Sequence, residues 1–464
     1  MKLVVRRPGV GYIDNWLWLP KTHTASVQIE SALLYEGRNA EAIEAWVEEP
    51  HHFRVPRNYL VPGALGRLPY PVVDTRVTQF PRVSFRSRVS LDAREPDKTY
   101  QRDGSAALLN TYDGILCLRC GAGKTVVALH SAAMLRTPIL VVVTDKGLAR
   151  QWIDAITQFL DVEESEIGRI GGDNSRFDWK RRITVAIVNS LARRAQTNTL
   201  PPEMTRWFGV VICDEAHVMG APYFNSAIPP FHGRRWGLSA TPEREDEFDS
   251  LLRHTMGDVV YTYLAPDLKP KVYFVQLNTT LKLSDPYVLE NTHSSGGEFH
   301  HMMTYGYLAR EKHTRTDEIV TRIREAMSHG RQVLVLTHSR DMCDALSLRL
   351  PEAGVCHGGV REGERIRRIR ECNPVIAIMQ LGKQALDKPS LDTLFITEPF
   401  RKSGVLQQTM GRVLRTFSGK RDPVVVFFED RYIKELHKMC NKLRTQLARW
   451  PEHKGGRIEN KKVK

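Results

Sequence analysis

The sequence has few cysteines, no long apolar run, no internal repeat and a deficit of acidic residues, and each of these narrows what the chain can be. Seven cysteines stand at positions 117, 120, 213, 343, 356, 372 and 440. Their odd number and scatter exclude a disulfide framework and fit a reducing compartment. Cys117 and Cys120 form one C-x-x-C pair, but no second pair completes a zinc site, so the thiols read as buried or incidental. The histidine pairs at 51–52 and 300–301 have no acidic or cysteine companions at ligand spacing. The longest apolar runs, Pro138–Val143 and Val424–Phe428, fall far short of the roughly 20 residues that cross a bilayer. The start, MKLVVRRPG, has no apolar core of the kind a signal peptide needs, so the expected location is the cytoplasm, or the nucleus in a eukaryote.

What the chain has in excess is positive charge. Lys and Arg number 67 against 53 Asp and Glu, a formal net charge of +14, which suits a polyanionic partner such as nucleic acid. At 42% hydrophobic and 26% charged residues the composition is that of a soluble globular protein. A chain of 464 residues exceeds what one hydrophobic core supports, so two or three domains are expected.

From Arg102 onward, short β-branched runs alternate with helix-like stretches. The first series is Ile115–Leu118, Ile139–Thr144, Ile183–Val188, Val210–Cys213 and Arg235–Leu238. The second is Val272–Gln276, Val333–Thr337, Gly354–His357, Val375–Ile378, Thr393–Thr397 and Val424–Phe428. Continuous apolar strands separated by helices predict parallel sheets covered on both faces, here two α/β domains in tandem. The join is placed at Leu264–Lys271, where two prolines interrupt the pattern. The expected division is 1–90, 91–267, 268–450 and a basic tail at 451–464. Residues 1–90 are irregular and proline-rich, with Arg67, Arg76, Arg82, Arg86 and Arg88 against Asp74 in the last third. They read as a small accessory domain and a candidate DNA-binding element. Residues 281–313 read as a loop or small insertion. Ile433, Leu436, Met439, Leu443, Leu447 and Trp450 recur at helical spacing and predict a final amphipathic helix.

The stretch Leu118–Thr125, LRCGAGKT, follows an apolar strand and precedes a helix. In that position the amides of Gly121, Ala122 and Gly123 cradle phosphates at a helix N-terminus, Lys124 reaches the β/γ-phosphates and Thr125 ligates Mg²⁺. The strict pattern wants glycine at position 118, where this chain has Leu118. Asp214-Glu215-Ala216-His217 follows Val210–Cys213, at the strand end where open α/β sheets bind ligands. Adjacent strand residues point to opposite faces, so Asp214 is assigned to Mg²⁺ and Glu215 to the attacking water. Ser239-Ala240-Thr241-Pro242 also stands at a strand end. In the second domain, Gln408 precedes Gly411-Arg412 and Arg415, and two arginines three apart suit a role as arginine fingers.

The ordered set GAGKT, DEAH, SAT and Q-x-x-G-R-x-x-R resembles the superfamily 2 helicases and translocases. Within them the loop form, together with Arg244-Glu245-Asp246, is similar to XPB-like DNA helicases and phage branch-migration helicases. The resemblance implies two RecA-like domains closing over ATP and Mg²⁺. It assigns Lys124, Asp214, Glu215, His217, Gln408, Arg412 and Arg415 to catalysis and Tyr100, Gln101, Leu118, Arg119, Cys120 and Gly121–Thr125 to the nucleotide, with the glutamine reading adenine. Thr125 and Asp214 would hold the metal. Thr144 and Lys146 (in TDKGLARQW), Gly171, Gly172, Ser190, Thr337, His338 and Gly358 fall on the loops that in this family grip one strand by its phosphates. The match departs from the family at Gln380 and Ala385, where a hydroxyl and a glycine are usual, and more mildly at Lys98 and Arg119.

These residues imply a nucleic-acid-stimulated ATPase motor that unwinds, branch-migrates or anneals DNA in repair, recombination or replication. Two rivals stand beside it: a clamp in which ATP only switches binding, suggested by Gln380 and Ala385, and an RNA helicase. A metabolic phosphotransferase fits neither the paired domains nor Q-x-x-G-R-x-x-R.

Overall fold

The structure is a computed structural model. It describes residues 6–21, 33–37, 40–60, 68–91, 99–119, 121–172, 176–240, 248–264, 270–280, 301–310, 314–379, 388, 390–399, 410, 419–449 and 458–462. The chain divides into two compact units, Met1–Tyr263 and Leu264–Lys464.

The first unit begins with short strands β1 (Gly11–Ile13), β2 (Trp16–Pro20), β3 (Leu34–Gly37), β4 (Ala40–Glu44), β5 (Val47–Glu48), β6 (His52–Pro56) and β7 (Val72–Asp74). Five of them form a mixed sheet in the order β5-β6-β2-β1-β7, and β3 and β4 pair as a hairpin. The apolar face, with Ile13, Leu17, Leu19, Phe53 and Val55, packs on Phe248 and Leu251 at the start of helix Asp249–Met256. The irregular N-terminal segment is thus a β-sheet that shares a core with this helix. Buried polar groups add to the joint. Arg57 donates from Nε and Nη2 to the two oxygens of Asp113 at 2.8 and 2.6 Å, and its guanidinium also reaches the carbonyls of His232 and Gly233. Asp113 further accepts from Asn58 Nδ2 and from the Arg235 backbone N–H, while Arg235 Nη2 donates to the Asn15 carbonyl at 2.6 Å. Residues 83–91 then run as a strap over the unit. Val83 N–H donates to the Arg136 carbonyl, Arg88 N–H to that of Phe159 and Asp161 N–H to that of Arg86.

The main sheet of this unit contains β8 (Gly114–Leu118), β9 (Ile139–Val143), β10 (Ile167–Ile170), β11 (Ile183–Ile187), β12 (Val210–Asp214), β13 (Arg234–Ser239) and β14 (Val259–Tyr263). All pairings are parallel, in the order β10-β11-β9-β12-β13-β8-β14. The period of two along a strand sorts residues to two faces. Ile139, Val141, Val143 and Ile212 face one core with helices Lys124–Met134 and Lys146–Phe159. Leu140, Val142, Val211 and Cys213 face the other.

The second unit repeats the plan with β15 (Lys271–Leu277), β16 (Val333–Thr337), β17 (Gly354–Cys356), β18 (Val375–Ile378), β19 (Thr393–Ile396), β20 (Val424–Asp430) and β21 (Ile458–Lys462). The order is β17-β18-β16-β19-β20-β15-β21, again parallel throughout. Two α/β units of this plan are tandem RecA-like domains.

The central strands lie where the apolar runs predict, within a residue or two at each end. Three edge strands carry no such run: β10 holds Gly168 and Arg169, β14 is half-exposed, and β21 reads as charged. Residues 458–462, in the stretch expected to be a solvated tail, therefore contribute backbone to the sheet, because an edge strand is held by its ladder to β15 and needs no apolar side chains. In the stretch read as a loop, His301–Arg310 is a helix burying Tyr305, Tyr307 and Leu308. The final helix spans Lys434–Arg449 and buries Leu436, Cys440, Leu443 and Leu447.

Candidate nucleotide site and nucleic-acid contact loops

The Leu118 side chain is fully buried and belongs to the core, while its carbonyl accepts from Lys124 Nζ at 3.1 Å. Leucine at the position where the pattern wants glycine therefore ends β8, and the phosphate-binding backbone comes after it. Ala122 N–H closes a turn on the Arg119 carbonyl at 3.2 Å, and Arg119 N–H donates to the Tyr263 carbonyl at 3.0 Å. Gly121 and Gly123 both adopt φ above +80°, where a side chain is strained. A Cβ on Gly123 would also lie 2.6 Å from Gln101 Nε2. Gln101 donates from Nε2 to the Ala122 carbonyl at 2.9 Å, so it braces the loop, and Tyr100 stacks on Tyr263 with centroids 4.0 Å apart. Helix Lys124–Met134 starts directly behind, placing Lys124 and Thr125 in its first turn. Cys120 lies outside the described residues.

Asp214 is the last residue of β12 and is buried. Its Oδ2 accepts from Trp152 Nε1 at 2.8 Å and its Oδ1 from the Glu215 N–H at 2.9 Å. Burial, followed by repulsion from the Glu215 carboxylate, pushes Asp214 up to about 6, against the opposing pull of Lys124, Trp152 and the Glu215 amide. The Lys124 ammonium is thus within electrostatic reach of this carboxylate. Glu215 is not a strand residue. It sits past β12 in the left-handed region, φ 51 and ψ 51, before the short helix Ala216–Met219. Its separation from Asp214 arises from this turn and not from the strand pleat, which corrects the sequence reading. His217 Nδ1 lies 3.4 Å from Glu215 Oε2. The Thr125 hydroxyl and the Asp214 carboxylate are hard oxygen donors of the kind Mg²⁺ takes, and Mg²⁺ needs few protein ligands because it keeps waters. Among the described residues no cluster of three or more His, Cys, Asp or Glu side chains forms a separate metal site. Ser239 ends β13 and Ala240 follows it, both buried. Thr241, Pro242 and Arg244–Asp246 lie outside the described residues.

The loops expected to grip nucleic acid follow strand ends. Thr144 Oγ1 donates to Asp145 Oδ2 at 2.9 Å, Asp145 caps the next helix through Leu148 N–H, and Lys146 opens that helix. Gly171 and Gly172 both have φ 85, and a Cβ on Gly171 would collide with Ser190 Oγ, so the structure brings these predicted residues together. In the second unit, Thr337 Oγ1 exchanges hydrogen bonds with the Ser339 backbone, and His338 N–H donates to buried Glu398 at 3.1 Å. The His338 ring stacks on Tyr305 at 4.6 Å. Gly358 has open space where a Cβ would stand. Gln408, Arg412 and Arg415, with Gln380 and Ala385, lie outside the described residues. Two polar neighbours of predicted residues have no individual role in the sequence reading. Glu398 carries no sequence signal. Trp152 lies inside TDKGLARQW, but only strand and helix facing shows what its indole meets.

A domain model described as "Type III restriction enzyme, res subunit" matches residues 94–244, and one described as "Helicase conserved C-terminal domain" matches residues 314–417. The chain is 26% identical over 329 residues to the DNA 3'-5' helicase XPB of Kineococcus radiotolerans, covering 68% of this chain and 57% of that protein. It is 33% identical over 175 residues to the DNA 3'-5' translocase XPB2 of Sulfurisphaera tokodaii, covering 38% of this chain and 37% of that one. It therefore spans about half or less of the length of these relatives. Among solved structures, S. cerevisiae Dbp5 bound to RNA and ADP BeF3 superposes with a TM-score of 0.53 at 13% identity, covering 78% of this chain and 89% of that chain. An HsdR fragment of a type I restriction enzyme from Vibrio vulnificus YJ016 gives 0.53 at 17% identity, covering 78% and 68%. At such identity the superpositions speak for the fold. These two domain models, matched in order and each on one RecA-like unit, with the phosphate loop and acidic strand end in the first, place the chain in the superfamily 2 helicases, where it is similar to the XPB-like proteins.

Proposed function

We propose that the chain is a DNA-stimulated ATPase that moves along one strand and remodels duplex or branched DNA, by unwinding, branch migration or annealing. The observation that carries this is that the Gly121–Thr125 cradle and the buried Asp214 follow the C-terminal ends of β8 and β12, two strands apart in one parallel sheet, with Lys124 within electrostatic reach of that carboxylate. In this reading the cradle amides and Lys124 bind the ATP phosphates. Thr125 and Asp214 would hold Mg²⁺, which would neutralise phosphate charge, while Glu215 orients the attacking water and accepts its proton and Arg412 and Arg415 stabilise the charge that develops. His217 Nδ1 stands 3.4 Å from Glu215 Oε2, close enough for a protonated ring to attract that carboxylate. Thr144, Lys146, Gly171, Gly172 and Ser190 in one unit and Thr337, His338 and Gly358 in the other grip strand phosphates. The basic segment of residues 1–90 adds duplex or junction contacts. Work in DNA repair, recombination or replication, in the cytoplasm or nucleus, fits this activity. Among the described residues, no helix is long and apolar enough to cross a membrane.

ATP turnover measured with and without DNA, on wild type and Lys124→Ala, tests the reading. Turnover is expected to rise with DNA and to vanish in Lys124→Ala, and Arg412→Ala is expected to bind ATP yet hydrolyse it slowly. Full activity in Lys124→Ala would remove the assignment. The substitutions at Gln380 and Ala385 favour a second reading, an ATP-switched clamp that does not translocate. RNA substrates in the same assay decide the choice of nucleic acid, because phosphate-gripping loops do not distinguish the two.

A further inference from the structure

Trp152 is 1% exposed, and its indole N–H, a group that can only donate, points at Asp214 Oδ2 at 2.8 Å. The contact follows from facing. Asp214 succeeds Cys213, which faces the opposite core, so its side chain emerges on the face that carries Ile212 and helix Lys146–Phe159. Trp152 lies on that helix among the same core residues. The first helical residue is Lys146, and Thr144 is bonded to the capping Asp145. One rigid helix therefore has a proposed strand-contact loop at its start and the partner of the proposed metal-holding carboxylate two turns further on. The second oxygen of Asp214 is taken by the Glu215 amide, so the carboxylate plane is defined at both ends.

We propose that Trp152 is a positioning residue: its indole fixes the Asp214 carboxylate for Mg²⁺ and links that carboxylate to the Thr144–Lys146 loop, so that movement of the helix on strand binding alters the metal site. This rests on the ATP and Mg²⁺ reading above. Trp152 touches neither nucleotide nor strand; it acts through Asp214. A residue serving only to fill the core would change stability without changing how nucleotide affinity depends on metal.

Calorimetric titration with ADP across a series of Mg²⁺ concentrations tests this on the full chain. Trp152→Phe keeps most of the buried ring and removes the donor. It is expected to bind ADP without metal as wild type does and to lose about tenfold of the affinity that Mg²⁺ adds, the scale of a hydrogen bond to a charged group. Equal Mg²⁺ dependence in the two proteins overturns the inference while leaving the ATP reading standing. Absence of ADP binding in the wild type overturns the reading and the inference together. A second measurement needs no substitution. In ¹⁵N-tryptophan-labelled wild type, replacing Mg²⁺ by paramagnetic Mn²⁺ in the presence of ADP is expected to bleach one of the eight indole N–H signals well before the rest. Uniform survival of all eight overturns the inference. A DNA oligonucleotide is expected to shift that same signal in the ADP–Mg²⁺ complex, and an unmoved signal removes the link to the Thr144–Lys146 loop.

Discussion

Replacing Asp113 by alanine should destabilise the first unit far more than its distance from the nucleotide loop suggests. Both sides of the Arg57–Asp113 ion pair are buried, with side-chain exposures of 1% and 4%. Without the carboxylate, Arg57 retains the carbonyls of His232 and Gly233 but loses its charge partner, and Asn58 Nδ2 and the Arg235 N–H each lose an acceptor. Breaking a buried pair from one side costs about 3–5 kcal/mol, because an uncompensated charge stays behind. At about 2–4 °C per kcal/mol for a unit of this size, the transition of the first unit should fall by roughly 6–20 °C in a calorimetric scan. Arg181→Ala is the control. Its pair with Asp178 is about half exposed on both sides, and surface pairs contribute less than about 1 kcal/mol. If Asp113→Ala melts within about 2 °C of wild type, the N-terminal sheet is not joined to the helicase sheet through this network.

Three further substitutions probe the site. Burial holds Asp214 up at about 6, above its unfolded value near 4, so the folded chain binds more protons between those values and stability falls as pH rises through the window. Asp214→Asn should therefore lack this pH-dependent loss, which amounts to up to about 3 kcal/mol in wild type, while hydrolysis is lost; the same fall in melting point between pH 4 and pH 7 in both proteins contradicts the assignment. Leu118→Gly restores the strict loop pattern but empties a buried core position, so thermal melting should show a loss of about 3–5 kcal/mol while folded protein at low temperature still binds ADP; unchanged stability refutes the core role. Gly171→Ala meets both a φ of 85 and Ser190 Oγ, and should weaken single-strand binding several-fold in fluorescence anisotropy with ATP affinity unchanged; wild-type DNA affinity in this variant removes the loop from the interface.

The central strands were legible because buried parallel strands are continuously apolar, as in ILVVV and VVIC, and the motifs fell at their C-terminal ends as the mechanism requires. What was not legible depends on pairing and not on composition. The N-terminal strands are two to five residues long and rely on Arg57, Asp113 and Arg235, which are far apart in sequence. β21 joins its sheet with charged side chains. At the site, Lys124, Gly121, Gly123 and Asp214 could be found by spacing alone, whereas the bond from Trp152 to Asp214 appears only when a helix is laid on one face of the sheet. The left-handed turn at Glu215 has no marker in the sequence, since glutamate rarely adopts that conformation.

The most direct test of the central claim is displacement of a third strand from a triplex by the wild-type protein, followed with ATP turnover in the same sample. The account predicts that DNA raises turnover and that the strand is released only with hydrolysable ATP. Turnover without release would leave a clamp, and turnover indifferent to DNA would contradict the account.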